Sequence, residues 1–321
     1  MQTKRNLSLA IALLAVLVVS AAGCGGTGAG GGNGEGSIAE NFDLSGAELA
    51  VASKEFTEQL VLGQITVQSL EAAGASVDDQ TGLAGSVVAC KALLSGEIDL
   101  YWEYSGTGWL IYLEHTDPIN DQREQYEAVA KEDLKKNDIR WLEPAPANST
   151  YAIAVRSGAF KDIRTLSDYA RLGEERPDAA TMCVGTEFAT RDDGLPGLEK
   201  YYGFELPNKY IAKMDEGAIY PATDKGDPCN FGEVFNLDGR IKTLDLRLLK
   251  DDKQFFPYYS PSIIMRQETL KKYPQIEKLF APIVEKLDSE TIRSLNAGVD
   301  VDGKTPEIVV EEWLQENGFT G

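Results

Sequence analysis

The chain has 321 residues, with 51 acidic against 31 basic side chains, a net charge of −20 and a single histidine, His115. That balance argues against a nucleic-acid binder, which needs a basic footprint, and one histidine excludes multi-histidine metal centres and leaves little ground for histidine-based catalysis. Strong negative charge suits a soluble protein and mildly favours cationic small molecules.

Lys4 and Arg5 precede an apolar stretch, Leu7 to Val19, of export-signal length and too short for a membrane-spanning helix. It ends in Ser20-Ala21-Ala22-Gly23-Cys24, small residues before a cysteine, which reads as a bacterial lipoprotein cleavage site. Ala21 stands where a leucine is usual. Residues 1–23 are therefore expected to be a signal peptide, and Cys24 to carry a lipid that anchors the chain to the cell membrane. Cleavage removes Lys4 and Arg5 and takes the charge from −20 to −22. Residues 24–45 are glycine-rich, the composition of a flexible tether reaching on the order of 25 Å.

Roughly 275 residues remain, enough for two domains. Leu49–Ala52 reads as a buried strand. Thr57 begins a helix with Val61, Leu62, Ile65, Ala72 and Ala73 on one face and Gly74 as its stop. A strand at Ala75–Val77, a helix at Ser86–Leu94 ended by Gly96, and a strand at Ile98–Trp102 follow. Glu143-Pro144-Ala145-Pro146 then interrupts the pattern and suits a crossing between lobes. Beyond it, Tyr151–Val155, Ala179–Val184 and Tyr210–Ala212 read as strands and Leu195–Tyr202 as a helix. This set closes near Asp251-Asp252, and amphipathic helices from Gln267 onward return to the first lobe. The alternation predicts an α/β fold with parallel sheets in two lobes and two interdomain crossings. Lobe 1 takes residues 46–146 plus 252–321, and lobe 2 takes 147–251. Ligands of open α/β sheets bind beyond the carboxyl ends of the strands. That rule points to the loops at Ser53–Phe56, Glu103–Gly108, Asn148–Tyr151 and Phe255–Tyr259.

With Cys24 given to lipid, Cys90, Cys183 and Cys229 remain, and no C-x-x-C spacing suggests zinc. Outside the cytoplasm two of the three can pair. Cys90 sits in an apolar helical pattern, which leaves Cys183 and Cys229 as the expected disulfide. Asp224 and Asp227 lack the full ligand set of a calcium loop, so no metal or cofactor is expected.

Six segments carry a resemblance. They are Ser53-Lys54-Glu55-Phe56-Thr57-Glu58-Gln59, Asp99 through Gly108, Asn148-Ser149-Thr150-Tyr151, Glu187-Phe188 with Arg191 and Gly194, Asp238-Gly239-Arg240, and Phe255-Phe256-Pro257. In order and spacing they resemble the substrate-binding proteins of osmoprotectant ABC transporters, whose ligands are glycine betaine, choline, carnitine or proline betaine. The resemblance covers nearly all of residues 46–321. It implies a periplasmic-binding-protein-like fold of the type II kind, a quaternary-ammonium ligand and an ABC permease as partner. Against the family pattern, Pro221–Glu233 looks like an extra loop, to be pinned by the Cys183–Cys229 bridge.

The chemistry supports this independently. A quaternary ammonium donates no conventional hydrogen bond, so aromatic faces must hold it, each worth about 1–2 kcal/mol once desolvated. A carboxylate at the ligand's other end needs cations and donors. The resemblance places Tyr104, Tyr151, Tyr259 and Phe235 in the cage, Phe235 standing where tyrosine is common. It places Lys54, Thr107 and Arg191 at the carboxylate end. Ser149 occupies a position where relatives can carry an acid. Trp102 and Trp109 are assigned to packing, and Tyr220 and Tyr258 are weaker cage candidates. Glycine betaine capture by a lipid-anchored monomer is the resulting expectation. The rivals are a receptor for choline or another small solute, and an enzyme on the same fold drawing on Glu55, Glu58 or Glu103.

Overall fold

The computed structural model describes residues 36–117, 119 and 121–321. The expected signal peptide 1–23, the expected lipid site Cys24 and the expected tether up to residue 35 lie outside the described residues. The remainder of the expected tether packs instead of trailing. Gly36–Asn41 is a helix, Ile38 and Leu44 are buried, and the amides of Ser37 and Ile38 donate to the carbonyls of Gly318 and Phe319. Those two apolar side chains find seats in the neighbouring core, a preference that the glycine-rich composition around them conceals.

Ten strands form two five-stranded sheets. The first lobe holds β1 (Glu48–Lys54), β2 (Ser76–Leu83), β3 (Leu100–Tyr104) and β4 (Ile139–Trp141). The second holds β5 (Tyr151–Arg156), β6 (Met182–Val184), β7 (Ile211–Lys213), β8 (Phe231–Phe235) and β9 (Leu246–Leu248), and β10 (Pro261–Arg266) returns to the first. The spatial orders are β2-β1-β3-β10-β4 and β7-β6-β8-β5-β9. The chain therefore crosses between Trp141 and Tyr151, and again between Leu248 and Pro261. Both sheets are mixed, which the expectation of parallel sheets missed. β10 runs antiparallel to β3 and β4, and β5 antiparallel to β8 and β9. A strand arriving from the other lobe enters at the carboxyl edge of its new sheet, so it must run against its neighbours.

β1 reads as a continuous apolar run because both faces are covered. The helix Thr57–Ala72 buries Val61, Leu62, Ile65 and Leu70 on one side, and the helix Gly85–Ser95 sets Ala89, Ala92 and Leu93 on the other. Each fully buried leucine or isoleucine contributes about 1.5–3 kcal/mol. β2 extends well past the expected Ala75–Val77. It is an edge strand, and Asp78, Asp79 and Gln80 can face water there without breaking the ladder. Trp102 is fully buried, its indole nitrogen donating to Thr66 Oγ1 at 2.8 Å.

The extra loop expected at Pro221–Glu233 is mostly regular structure. Glu216–Lys225 is a helix with Pro221 inside it, Gly226 caps it with φ +69°, and β8 begins at Phe231. Proline tolerates this position because its missing N–H frees only the Gly217 carbonyl, which takes Arg240 Nη1 at 3.5 Å instead. Cys183 on β6 and Cys229 are disulfide-bonded, Cα atoms 5.5 Å apart, and Cys90 is a free thiol that burial pushes up to about 12.

The bridge closes a 46-residue separation. Replacing both cysteines by serine should cost about 2–4 kcal/mol in denaturant unfolding. In the native protein at pH 8, Cys90 should alkylate far more slowly than a free thiol, because little thiolate is present. Rapid labelling would contradict the burial assigned to it.

Candidate functional site

Strand ends from both lobes converge on one point. Tyr104 ends β3 and faces Pro261 across the ladder, which holds Tyr259 just outside β10. Tyr151 opens β5 and stands in register with Phe235, the last residue of β8. Lys54 ends β1, Thr107 follows β3 in the turn Ser105–Thr107, Ser149 lies in the first crossing, and Arg191 lies between β6 and the helix Leu195–Tyr202. All eight line one cavity together with Phe56, Glu58 and Glu187. Gly106 makes the approach possible, since a Cβ there would sit 2.8 Å from the Tyr259 ring.

The cavity volume is about 20 Å³, room for about one water molecule. The two lobes are drawn together around it. Tyr151 is the centre of the aromatic set, with Tyr259 edge-on at 5.5 Å, Phe235 at 5.4 Å and Phe188 at 5.1 Å. Phe56 of lobe 1 stacks on Phe235 of lobe 2 at 4.8 Å. Burial raises the phenols of Tyr104, Tyr151 and Tyr259 well above their ordinary value, so the rings stay neutral and keep their attractive faces. Tyr220 is buried behind this wall with its hydroxyl accepting the Phe235 amide, and Tyr258 lines a separate pocket.

The two cations of the site already hold carboxylates. Lys54, 2% exposed, pairs with Glu103 at 2.6 Å and donates to Ser86 Oγ at 3.2 Å. Its ammonium lies 4.7 Å from the Tyr104 ring centre and 5.8 Å from that of Phe56. Arg191 grips Asp193 with Nε and Nη2, at 2.7 and 2.5 Å, and reaches Glu187 at 3.1 Å. Asp193 also accepts the Tyr259 hydroxyl at 2.7 Å. Ser149 Oγ is buried without a hydrogen-bond partner.

Three members of the lining were not named as binding residues from the sequence: Phe56, Glu58 and Glu187. Each sits inside a recognised segment, so the signal was adjacency to Lys54 or Arg191. Glu187 joins the lobes. The Ser86 amide, at the first turn of the helix Gly85–Ser95, donates to its Oε1 at 2.6 Å, and the Ser86 hydroxyl to Oε2 at 3.1 Å. A helix start favours an anion through free amides and dipole. Burial alone would raise Glu187, but Lys54, Arg191 and the Ser86 bonds outweigh it and hold the carboxyl below its usual range. Glu187→Gln weakens this inter-lobe contact, so it should shift the ligand-free protein toward a more open form. Small-angle scattering should show a larger radius with secondary structure unchanged; an unaltered radius would deny the contact that role.

Beside the cavity lies a larger chamber of about 490 Å³, bounded by Glu55, Glu216, Asp238 and Asp300 with Arg240 as its cation. Glu216 stands against Glu233, which is fully buried and accepts the Gly185 amide at 3.1 Å. Burial lifts Glu216 to about 7 and Glu233 well above the carboxylate range, and the nearness of the two acids raises Glu233 further. Raised acids bind protons more tightly folded than unfolded. Their contribution is complete only below the unfolded carboxyl value of about 4.5 and is lost as pH rises, through about 7 for Glu216 and beyond that for Glu233. The stability of Glu233→Gln relative to the parent should therefore improve across that window in thermal melts. A constant difference would show that the pair does not titrate there.

A family model described as the substrate-binding domain of ABC-type glycine betaine transport systems matches residues 47–316. A glycine-betaine-binding protein of Pseudomonas aeruginosa is 37% identical over 84% of this chain and 88% of its own. An ergothioneine transport permease/ergothioneine binding protein of Helicobacter pylori is 34% identical over 84% of this chain and 48% of its own. Among solved structures, the apo form of YehZ of Escherichia coli is similar, with TM-score 0.62 and 32% identity over 85% of this chain and 99% of that one.

Proposed function

This chain belongs to the family of substrate-binding domains of ABC-type glycine betaine transport systems, and on that premise we infer that it captures glycine betaine outside the cytoplasm and delivers it to a membrane permease. The observation that carries this reading is the convergence of Tyr104, Tyr151, Tyr259 and Phe235 with Lys54 and Arg191 on one inter-lobe cavity. Aromatic faces suit the trimethylammonium, and the two cations suit the carboxylate. The lobes act as a hinged clamp. With the cavity near 20 Å³, the lobes separate about the two crossings to admit ligand, and both sides contribute walls on closing. Opening also parts Arg191 from Ser86 and Thr107, which frees its outer donors for a ligand carboxylate. The protein works as a lipid-anchored monomer, tethered through Cys24. It binds without turnover: His115 pairs with Glu132 and stacks on Trp109, outside the cavity lining.

One observation favours choline as a second reading. Lys54 and Arg191 are already matched by Glu103, Asp193 and Glu187, so an anionic end must share donors, whereas choline brings only a hydroxyl. A calorimetric panel of glycine betaine, choline, carnitine, proline betaine and ergothioneine decides, with glycine betaine expected to bind tightest and no ligand consumed. Tyr104→Ala, Tyr151→Ala and Tyr259→Ala should each weaken binding by about 1–3 kcal/mol with folding intact. Arg191→Ala should cost betaine about 2–4 kcal/mol and choline far less. A parent that prefers choline, with a ratio indifferent to Arg191, would move the reading to a choline receptor.

A further inference from the structure

Glu58 is an anomaly among the carboxylates of the site. Glu103 has Lys54, and Asp193 and Glu187 have Arg191. Glu58 forms no ion pair with any lysine, arginine or histidine of the described residues. Yet it is 4% exposed, on the first turn of the helix Thr57–Ala72. Its partners are neutral: Oε1 accepts the Tyr104 hydroxyl at 2.8 Å, and Oε2 takes Asn296 Nδ2 at 3.4 Å. Ser149 Oγ, buried in the same lining, stands close enough to stabilise this carboxylate and makes no other hydrogen bond. Taking a carboxylate out of water costs several kcal/mol when no cation compensates. Burial accordingly raises this carboxyl above its usual range, against the opposing contacts of Ser149, Tyr104 and Asn296.

Its position turns that cost into a use. Glu58 lines both the aromatic cavity and the outer chamber, so it stands at the junction between them. The bond to Tyr104 fixes the carboxylate to one cage ring, and Phe56 and Phe235 border the same junction. Resting on the quaternary-ammonium reading of this site, we propose that Glu58 is the anionic wall of the cage, the counter-charge that selects a cationic head group over a neutral one of the same shape. Aromatic faces and apolar burial also attract an uncharged tert-butyl group. A carboxylate in low dielectric does not, so it is the group that separates charge from shape. Because the ligand is the missing cation, Glu58 is strained when the cage is unoccupied and relieved when it is filled.

The test uses matched pairs that exchange the ammonium nitrogen for carbon: choline against 3,3-dimethylbutan-1-ol, and glycine betaine against 3,3-dimethylbutanoate. Calorimetry on the processed full-length protein gives the affinity ratio within each pair. The parent should favour the ammonium-bearing member of each pair by more than tenfold. Glu58→Gln keeps the shape and the acceptor for Tyr104, and should cut that ratio by roughly tenfold while leaving the affinity of the tert-butyl member unchanged or better. Glu58→Asp, which keeps the charge, should retain most of the ratio even if both affinities fall. Ligand-free Glu58→Gln should melt no lower than the parent, since it removes an uncompensated buried charge. A ratio equal in the parent and Glu58→Gln overturns the proposal while leaving the function reading standing. A parent that binds none of the cationic ligands overturns both. Should Glu58→Gln melt lower, the Glu58→Asp ratio still decides, and its loss would reduce Glu58 to a structural partner of Tyr104.

Discussion

The Arg191 guanidinium is the contact on which the rest of the site depends. It grips Asp193 with two nitrogens, and Asp193 in turn fixes the Tyr259 hydroxyl. The same guanidinium reaches Glu187 in its own lobe and Thr107 and Ser86 in the other. Asp193 is almost wholly buried, so removing its cation would strand a charge in low dielectric. One side chain thus sets the orientation of a cage ring and the spacing between lobes. A planar fork can do this because its donors point in fixed, separate directions.

That hub works only because the chain crosses twice. Each crossing delivers a strand that runs against its neighbours, and each such strand begins at the cleft. Tyr151 at the start of β5 meets Phe235 at the end of β8, and Pro261 at the start of β10 meets Tyr104 at the end of β3. Antiparallel register therefore places aromatic residues from distant parts of the sequence side by side. Parallel strands alone would present only their carboxyl ends there.

The pairing of charges also limits what the clamp can hold. Lys54 is paired with Glu103 and Arg191 with Glu187 and Asp193, while Glu58 lines the same small cavity without a cation. A zwitterion must borrow donors from ion pairs already made, while its ammonium meets aromatic faces and a carboxylate. Separation of the lobes frees further donors for that loan, since the Ser86 bonds to Glu187 and the Arg191 bonds to Ser86 and Thr107 run between them. Affinity and closure are consequently one free-energy balance.

Much of this was legible in the sequence, because it is local. Helix Thr57–Ala72 shows in its apolar spacing, β1 in its unbroken apolar run, and the lining in short segments that keep side chains at strand ends. The eight side chains assigned through the family resemblance, six of them inside those segments, line one cavity. What stayed hidden depends on partners far away in the chain. Ile38 and Leu44 look like part of a tether until the lobe 1 core offers them a seat. Pro221 looks like a loop until Arg240 takes the carbonyl it frees. Glu58 and Glu187 stand in recognised segments without a binding role until folding buries one beside Tyr104 and seats the other on Ser86. Residue types and spacing determine which chemistry is available. Only tertiary structure decides which charges lose their water and which cation, if any, faces them, since desolvation and Coulomb energy depend on distance through space.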